Sequence, residues 1–134
     1  MSAVAKPQIT IDAFENATLD PKTFDHEAHV YVAWLYLEQF PLLDATARFS
    51  SALRRLTAKL GVPDKYHQTI TWFFMLLTAE RRENANSSDW FSFHRNNSDL
   101  FCRDGNIISR YYSSEILASD RARQSFVMPD NLAS

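Results

Sequence analysis

Glycine is almost missing from this chain: Gly61 and Gly105 are the only two in 134 residues. Loops that cradle phosphate need several glycines where backbone must approach the ligand, so neither a P-loop nor a dinucleotide fingerprint has a place here. Cysteine is scarcer still. Cys102 stands alone, which excludes an intrachain disulfide and any multi-cysteine zinc site and fits a reducing compartment. No sign of charge dominates: 14 basic and 16 acidic residues leave a formal net charge of −2, so no global field draws the chain to nucleic acid or anionic lipid. Long apolar runs are missing too. The longest, "ITWFFMLL" from Ile70, is bounded by His67-Gln68-Thr69 and by Glu80-Arg81-Arg82-Glu83, far short of the roughly 20 residues of a membrane span. The opening "MSAVAKPQIT" lacks the regions of a secretory signal. The expectation is a cytoplasmic protein with no membrane partner, and nucleic-acid binding through the second helix is the least favoured reading.

What is present is apolar side chains at a helical period. Hydrophobic residues make up 46% of the chain and aromatics 13%, enough for one sizeable core at this length. From Asp25 to Phe40 the spacing predicts a helix with Val30, Trp34 and Leu37 on one face and Ala33, Tyr36 and Phe40 adjoining; Pro41 ends it. A second helix is expected from a cap at Asp44 to Gly61, with Phe49, Leu53, Leu56 and Leu60 as its stripe. Arg48, Arg54, Arg55 and Lys59 fall largely outside that stripe and read as a solvated face. The third helix is expected to begin at Pro63-Asp64 and to bury Ile70, Phe73, Phe74 and Leu77. "DWFSFHRN", "IISRYYSSEILAS" and "DRARQSFV" read as short helices, the last two capped by Ser113 or Ser114 and by Ser119.

The predicted architecture is therefore all-α: an up-down-up helical bundle with short C-terminal helices packed on one side. Residues 1–22 read as a poorly defined N-terminal arm and residues 23–134 as a single helical domain. The segments "FDHEAHVYVAWLYL", "KYHQTIT" and "YYSSEILASDRARQSFVMPD" resemble a family of small bacterial all-helical proteins of uncharacterised activity. That resemblance implies a single helical domain and adds no chemistry.

His26 and His29 open the first helix at an i, i+3 spacing, which sets them on roughly one side. If the first and third helices run parallel, His67 joins them at one end of the bundle. Three imidazoles can hold a zinc or iron ion with a position left open, so His26, His29 and His67 are the candidate metal ligands. "HEAH" is one residue short of the HExxH pattern, which excludes a zincin reading. Glu27 and His67 are the candidate acid–base residues, and Phe24, Trp34, Tyr66 and Thr71 the candidate lining of a small-molecule pocket.

Each of these residues also has a plainer role. Glu27 suits a helix's first turn through the dipole, a first-turn histidine often bonds to backbone, and an inward threonine often bonds back to its own helix. The functional expectation is a pocket protein for a small organic molecule, acting as a metal-dependent or histidine-assisted enzyme if the three histidines meet. The competing expectation is a non-enzymatic interaction module or homodimer built on the aromatic surplus.

Overall fold

The computed structural model describes residues 9–84, 89–101 and 107–131; within them the chain is helical and has no strand. Cys102 and Gly105 lie outside the described residues. The helices are α1 (Ile11–Glu15), α2 (His26–Gln39), α3 (Leu42–Lys59), α4 (Gln68–Glu83), α5 (Trp90–Asn96), α6 (Ser114–Leu117) and α7 (Asp120–Gln124). Single 3-10 turns occupy Pro21–Thr23, Pro63–Lys65, Ser98–Phe101 and Ile107–Arg110. The all-α class expected from periodicity is the one observed.

Side-chain caps set most helix starts. Thr10, Asp25, Asp89, Ser113 and Ser119 each accept a backbone N–H from the first turn of the helix that follows, answering donors that no intrahelical carbonyl reaches. Ser113 and Ser119 are the caps expected from sequence. α3 differs, because it starts at Leu42 after Pro41 with no side-chain cap, and Asp44 lies in its first turn. Its end follows the glycine rule. Gly61 takes φ +76°, and the Val62 and Gly61 N–H groups return to the Thr57 and Ala58 carbonyls at 2.9 and 3.1 Å, the six-to-one and five-to-two bonds of a Schellman ending.

α2, α3 and α4 each pack on the other two. α2 is apolar nearly all round because it lies between two clusters of buried side chains. Ala28, Val32, Ala33, Tyr36 and Leu37 join one with Phe49 and Leu56 of α3. Val30 and Trp34 join the other with Phe73, Phe74 and Leu77 of α4 and with Trp90, Phe93 and Tyr112.

Residues 9–22 fall in the poorly defined N-terminal arm expected from sequence, and their apolar side chains join the first cluster. Ile9, Phe14 and Leu19 are buried, and the Phe14 ring stacks on Phe49 at 5.2 Å. The three sit five residues apart, a spacing that matches neither a helix nor a strand period, so the sequence carries no periodic signal for their burial.

α4 starts later than expected. Pro63 and Asp64 do open a helical turn, but it is the 3-10 turn, and extended backbone at Tyr66 and His67 separates it from α4. The C-terminal segment then lies across α4. Thr69 Oγ1 receives the Val127 N–H at 3.1 Å and shares its single proton between the Ala122 and Ser125 carbonyls at 2.7 and 2.8 Å. The Tyr112 hydroxyl donates to the Val127 carbonyl at 2.6 Å. Asp130 closes the loop by accepting the Ser113 backbone N–H at 2.8 Å and its hydroxyl at 2.7 Å.

Two substitutions check this packing. Phe74, 2% exposed, should cost about 3–5 kcal/mol when replaced by Ala; a loss under about 1 kcal/mol in urea unfolding would mean that the wrong face is buried. Thr69→Val keeps the shape and removes the hydroxyl, so it should cost roughly 1–3 kcal/mol while Thr69→Ser costs much less. Equal losses for the two would show that the threonine methyl, not its hydrogen bonds, holds the C-terminal segment.

Candidate functional site

Three of the four histidines were expected to converge; in the structure His29 and His67 border one cavity, and His26 turns away from it. His26 turns toward the second cluster, where its ring meets Phe74 edge-on at 4.9 Å and Nε2 donates to the Leu100 carbonyl at 2.7 Å. That carbonyl is held in place from α4: Arg81 grips Asp99 through two bonds of 3.0 and 2.9 Å and reaches Asn97 at 2.8 Å. The Arg81 guanidinium holds the Asp99 carboxyl below the usual carboxylate range.

His67 is occupied at both nitrogens. As the cap of α4, its Nδ1 accepts the Ile70 N–H at 3.2 Å. Nε2 must therefore carry the proton that it gives to the Leu117 carbonyl at 2.7 Å. A ring fixed in that tautomer by two backbone bonds has no lone pair left for a metal ion or for a substrate proton.

The three-histidine metal site is thus not formed, and among the described residues no group of three or more His, Cys, Asp or Glu side chains is placed to hold a metal ion. The physical reason is that backbone carbonyls of the C-terminal half compete for the same imidazoles. The two acid–base candidates, Glu27 and His67, do not share a site either. Glu27 Oε1 lies 3.5 Å from Nε2 of His94, whose ring stacks on Phe101 at 4.1 Å, and Glu27 does not line the cavity that His67 borders. No spacing in the sequence linked Glu27 to His94, because they meet across two helices.

His29 is different. It turns toward the first cluster, its ring 5.9 Å from Phe24 and 5.1 Å from Phe49. Its Nε2 is shielded from solvent and has no hydrogen-bond partner among the described residues. Burial, and secondarily the charge of neighbouring His26, hold its pKa at about 4, so at neutral pH the ring is uncharged.

Beside His29 lies a cavity of about 570 Å³, within the range of small-molecule sites. Phe24 and His29 border it from the α2 side, Leu53, Leu56 and Leu60 from α3, and His67, Ile70 and Thr71 from α4. Phe24 and Thr71 were expected there. Trp34 is not part of it; it packs against Trp90 at 5.5 Å in the second cluster. Tyr66 faces an adjoining cleft instead, under the Arg54 guanidinium at 4.4 Å. The leucines of α3 were legible as an apolar stripe, but a stripe that lines a cavity has the same period as one that fills a core. No protein family, curated protein or solved structure matches the chain.

The state of His29 has a measurable consequence. Between pH 6.5 and about 4, the ordinary and the folded values, the unfolded chain takes up a proton that the folded chain refuses, so stability falls as pH falls through that window. Urea unfolding at about pH 7 and about pH 4.5 should show the wild type losing on the order of 2 kcal/mol more than His29→Leu across the interval. Parallel losses would show that His29 takes up its proton as freely in the folded chain as in the unfolded one.

Proposed function

We propose that the protein binds a small, largely apolar molecule in the cavity between α2, α3 and α4, with His29 as its polar contact. The observation that carries this reading is an apolar cavity of ligand size bordered by His29, a partly exposed residue whose Nε2 is shielded and without a partner among the described residues. An unanswered buried polar atom is costly, roughly 1–3 kcal/mol. A ligand hydroxyl or amide that displaced the groups shielding Nε2 would remove that cost while its apolar body displaced water from the leucines.

Histidine-assisted chemistry, if the site performs any, would fall to His29, since His67 is tied to two backbone groups. The interaction-module reading receives less support. Among the exposed large hydrophobics of the described residues only Phe91 is aromatic, so the aromatic surplus is consumed inside the chain rather than offered to a partner. No helix among the described residues is long and apolar enough to cross a membrane.

A matched pair of probes tests the binding reading. Para-propylphenol should bind the wild type about tenfold more tightly than propylbenzene, because one buried hydrogen bond contributes around 1 kcal/mol or more. His29→Leu should erase that preference, and Ile70→Trp, which extends a partly exposed wall residue into the cavity, should abolish binding of both. Isothermal titration that detects neither probe at millimolar concentration, or a phenol preference that survives His29→Leu, would overturn the reading.

A further inference from the structure

The apolar cavity has a charged neighbour. A second depression, about 460 Å³, is bordered by Arg54 and Thr57 of α3, by Pro63, Asp64 and Tyr66 of the connecting turn, and by Arg123 of α7. Thr57 borders both spaces. The turn between α3 and α4 serves both as well: Val62, Lys65 and His67 border the apolar cavity, while Pro63, Asp64 and Tyr66 border the charged cleft. The partition between them is thus a short turn and one threonine, whose hydroxyl is committed to the Leu53 and Arg54 carbonyls at 3.1 Å each.

The cleft favours an anion. Arg123 donates to the Asp64 backbone carbonyl at 2.5 Å, and Arg54 lies over the Tyr66 ring with one long contact, 3.4 Å, to Gln68. These contacts orient the two guanidiniums without neutralising them. Among the described residues neither has a carboxylate within ion-pair distance, and each guanidinium carries five N–H donors. Asp64 is the one carboxylate bordering the cleft, against two arginines, and Lys65 stands on the cavity side of the turn. Planar guanidiniums of this kind suit the paired oxygens of a carboxylate or phosphate.

We propose that the cavity and the cleft form one site for an amphipathic anion: an apolar body beside His29 and an anionic end group, carboxylate or phosphate, on Arg54 and Arg123 across Thr57. The proposal rests on the binding reading above and adds the charge and polarity of the ligand. It also gives the arginines of α3 a division of labour. Arg54 faces the cleft, whereas Arg48 and Arg55 border a different depression, beside Glu15.

The test compares para-propylphenol with para-hydroxyphenylbutanoate, the same molecule with a carboxylate on the end of its chain, by isothermal titration against the full chain. The wild type should bind the carboxylate at least about tenfold more tightly, the advantage expected of charge-assisted hydrogen bonds. Arg54→Gln combined with Arg123→Gln should remove that advantage and leave propylphenol affinity within about twofold, since neither arginine borders the apolar cavity. Added salt should weaken the carboxylate and not the phenol.

A wild type that binds both probes equally would overturn the anionic end group while leaving the apolar cavity standing. So would a carboxylate advantage that survives the double substitution. Failure of propylphenol itself to bind would instead remove the underlying binding reading. Circular dichroism of the double variant guards against loss of fold, and Lys59→Gln, at a lysine bound to the Ala17 carbonyl, serves as a charge control that should change neither affinity.

Discussion

The segment from residue 107 to 131 folds only into short helical turns, none longer than five residues, so several of its backbone carbonyls must be answered from elsewhere because buried C=O groups without partners are costly. α4 and its approach answer them. His67 takes the Leu117 carbonyl, Thr69 those of Ala122 and Ser125, and within the segment Tyr112 takes that of Val127. This obligation puts polar side chains on a buried helix start, where a sequence reader expects only apolar ones. It also fixes the C-terminal segment against α4, and so places Arg123 beside the turn that divides the cavity from the cleft.

The same obligation explains how the histidines divide. Residues three apart on a helix differ by roughly 60° around its axis, a small angle for a helix with one buried face. α2 has two, one toward each cluster. The offset therefore carries His26 to Phe74 in the second cluster and to the Leu100 carbonyl, while His29 goes to Phe24 and Phe49 in the first. An i, i+3 pair that looks like a chelate on an isolated helix becomes two unrelated contacts once the helix is wedged between cores.

Periodicity made the long helices legible, together with the serine caps and the glycine ending, because each of those signals is local. What escaped depends on distant partners. Ile9, Phe14 and Leu19 are buried by helices that they do not resemble in pattern. His67 reads as a ligand until the Leu117 carbonyl, fifty residues on, is in place. Trp34 and Tyr66 are aromatic neighbours of site residues in sequence but face the second cluster and the adjoining cleft. Phe24, His67 and Thr71 do border the cavity, though His67 stands there as a helix cap whose two ring nitrogens are already engaged.

His29 is the residue whose presence a purely structural account leaves least explained. A leucine or phenylalanine at its position would pack against Phe24 and Phe49 without an unanswered nitrogen, and such replacements tend to stabilise. An unpaired polar atom is not by itself a sign of function: Thr78 Oγ1 and Trp90 Nε1 are also buried without partners among the described residues. Neither borders the cavity or the cleft beside it. His29 combines the orphaned nitrogen, a pKa too low for the ring to charge at neutral pH, and an open apolar space next to it. A neutral imidazole in that position can accept a hydrogen bond or donate one, so it tolerates either kind of ligand polar atom and selects chiefly for where that atom sits. On the reading proposed above, the sign of the ligand's charge would then be chosen at the arginines and the placement of its apolar body at His29.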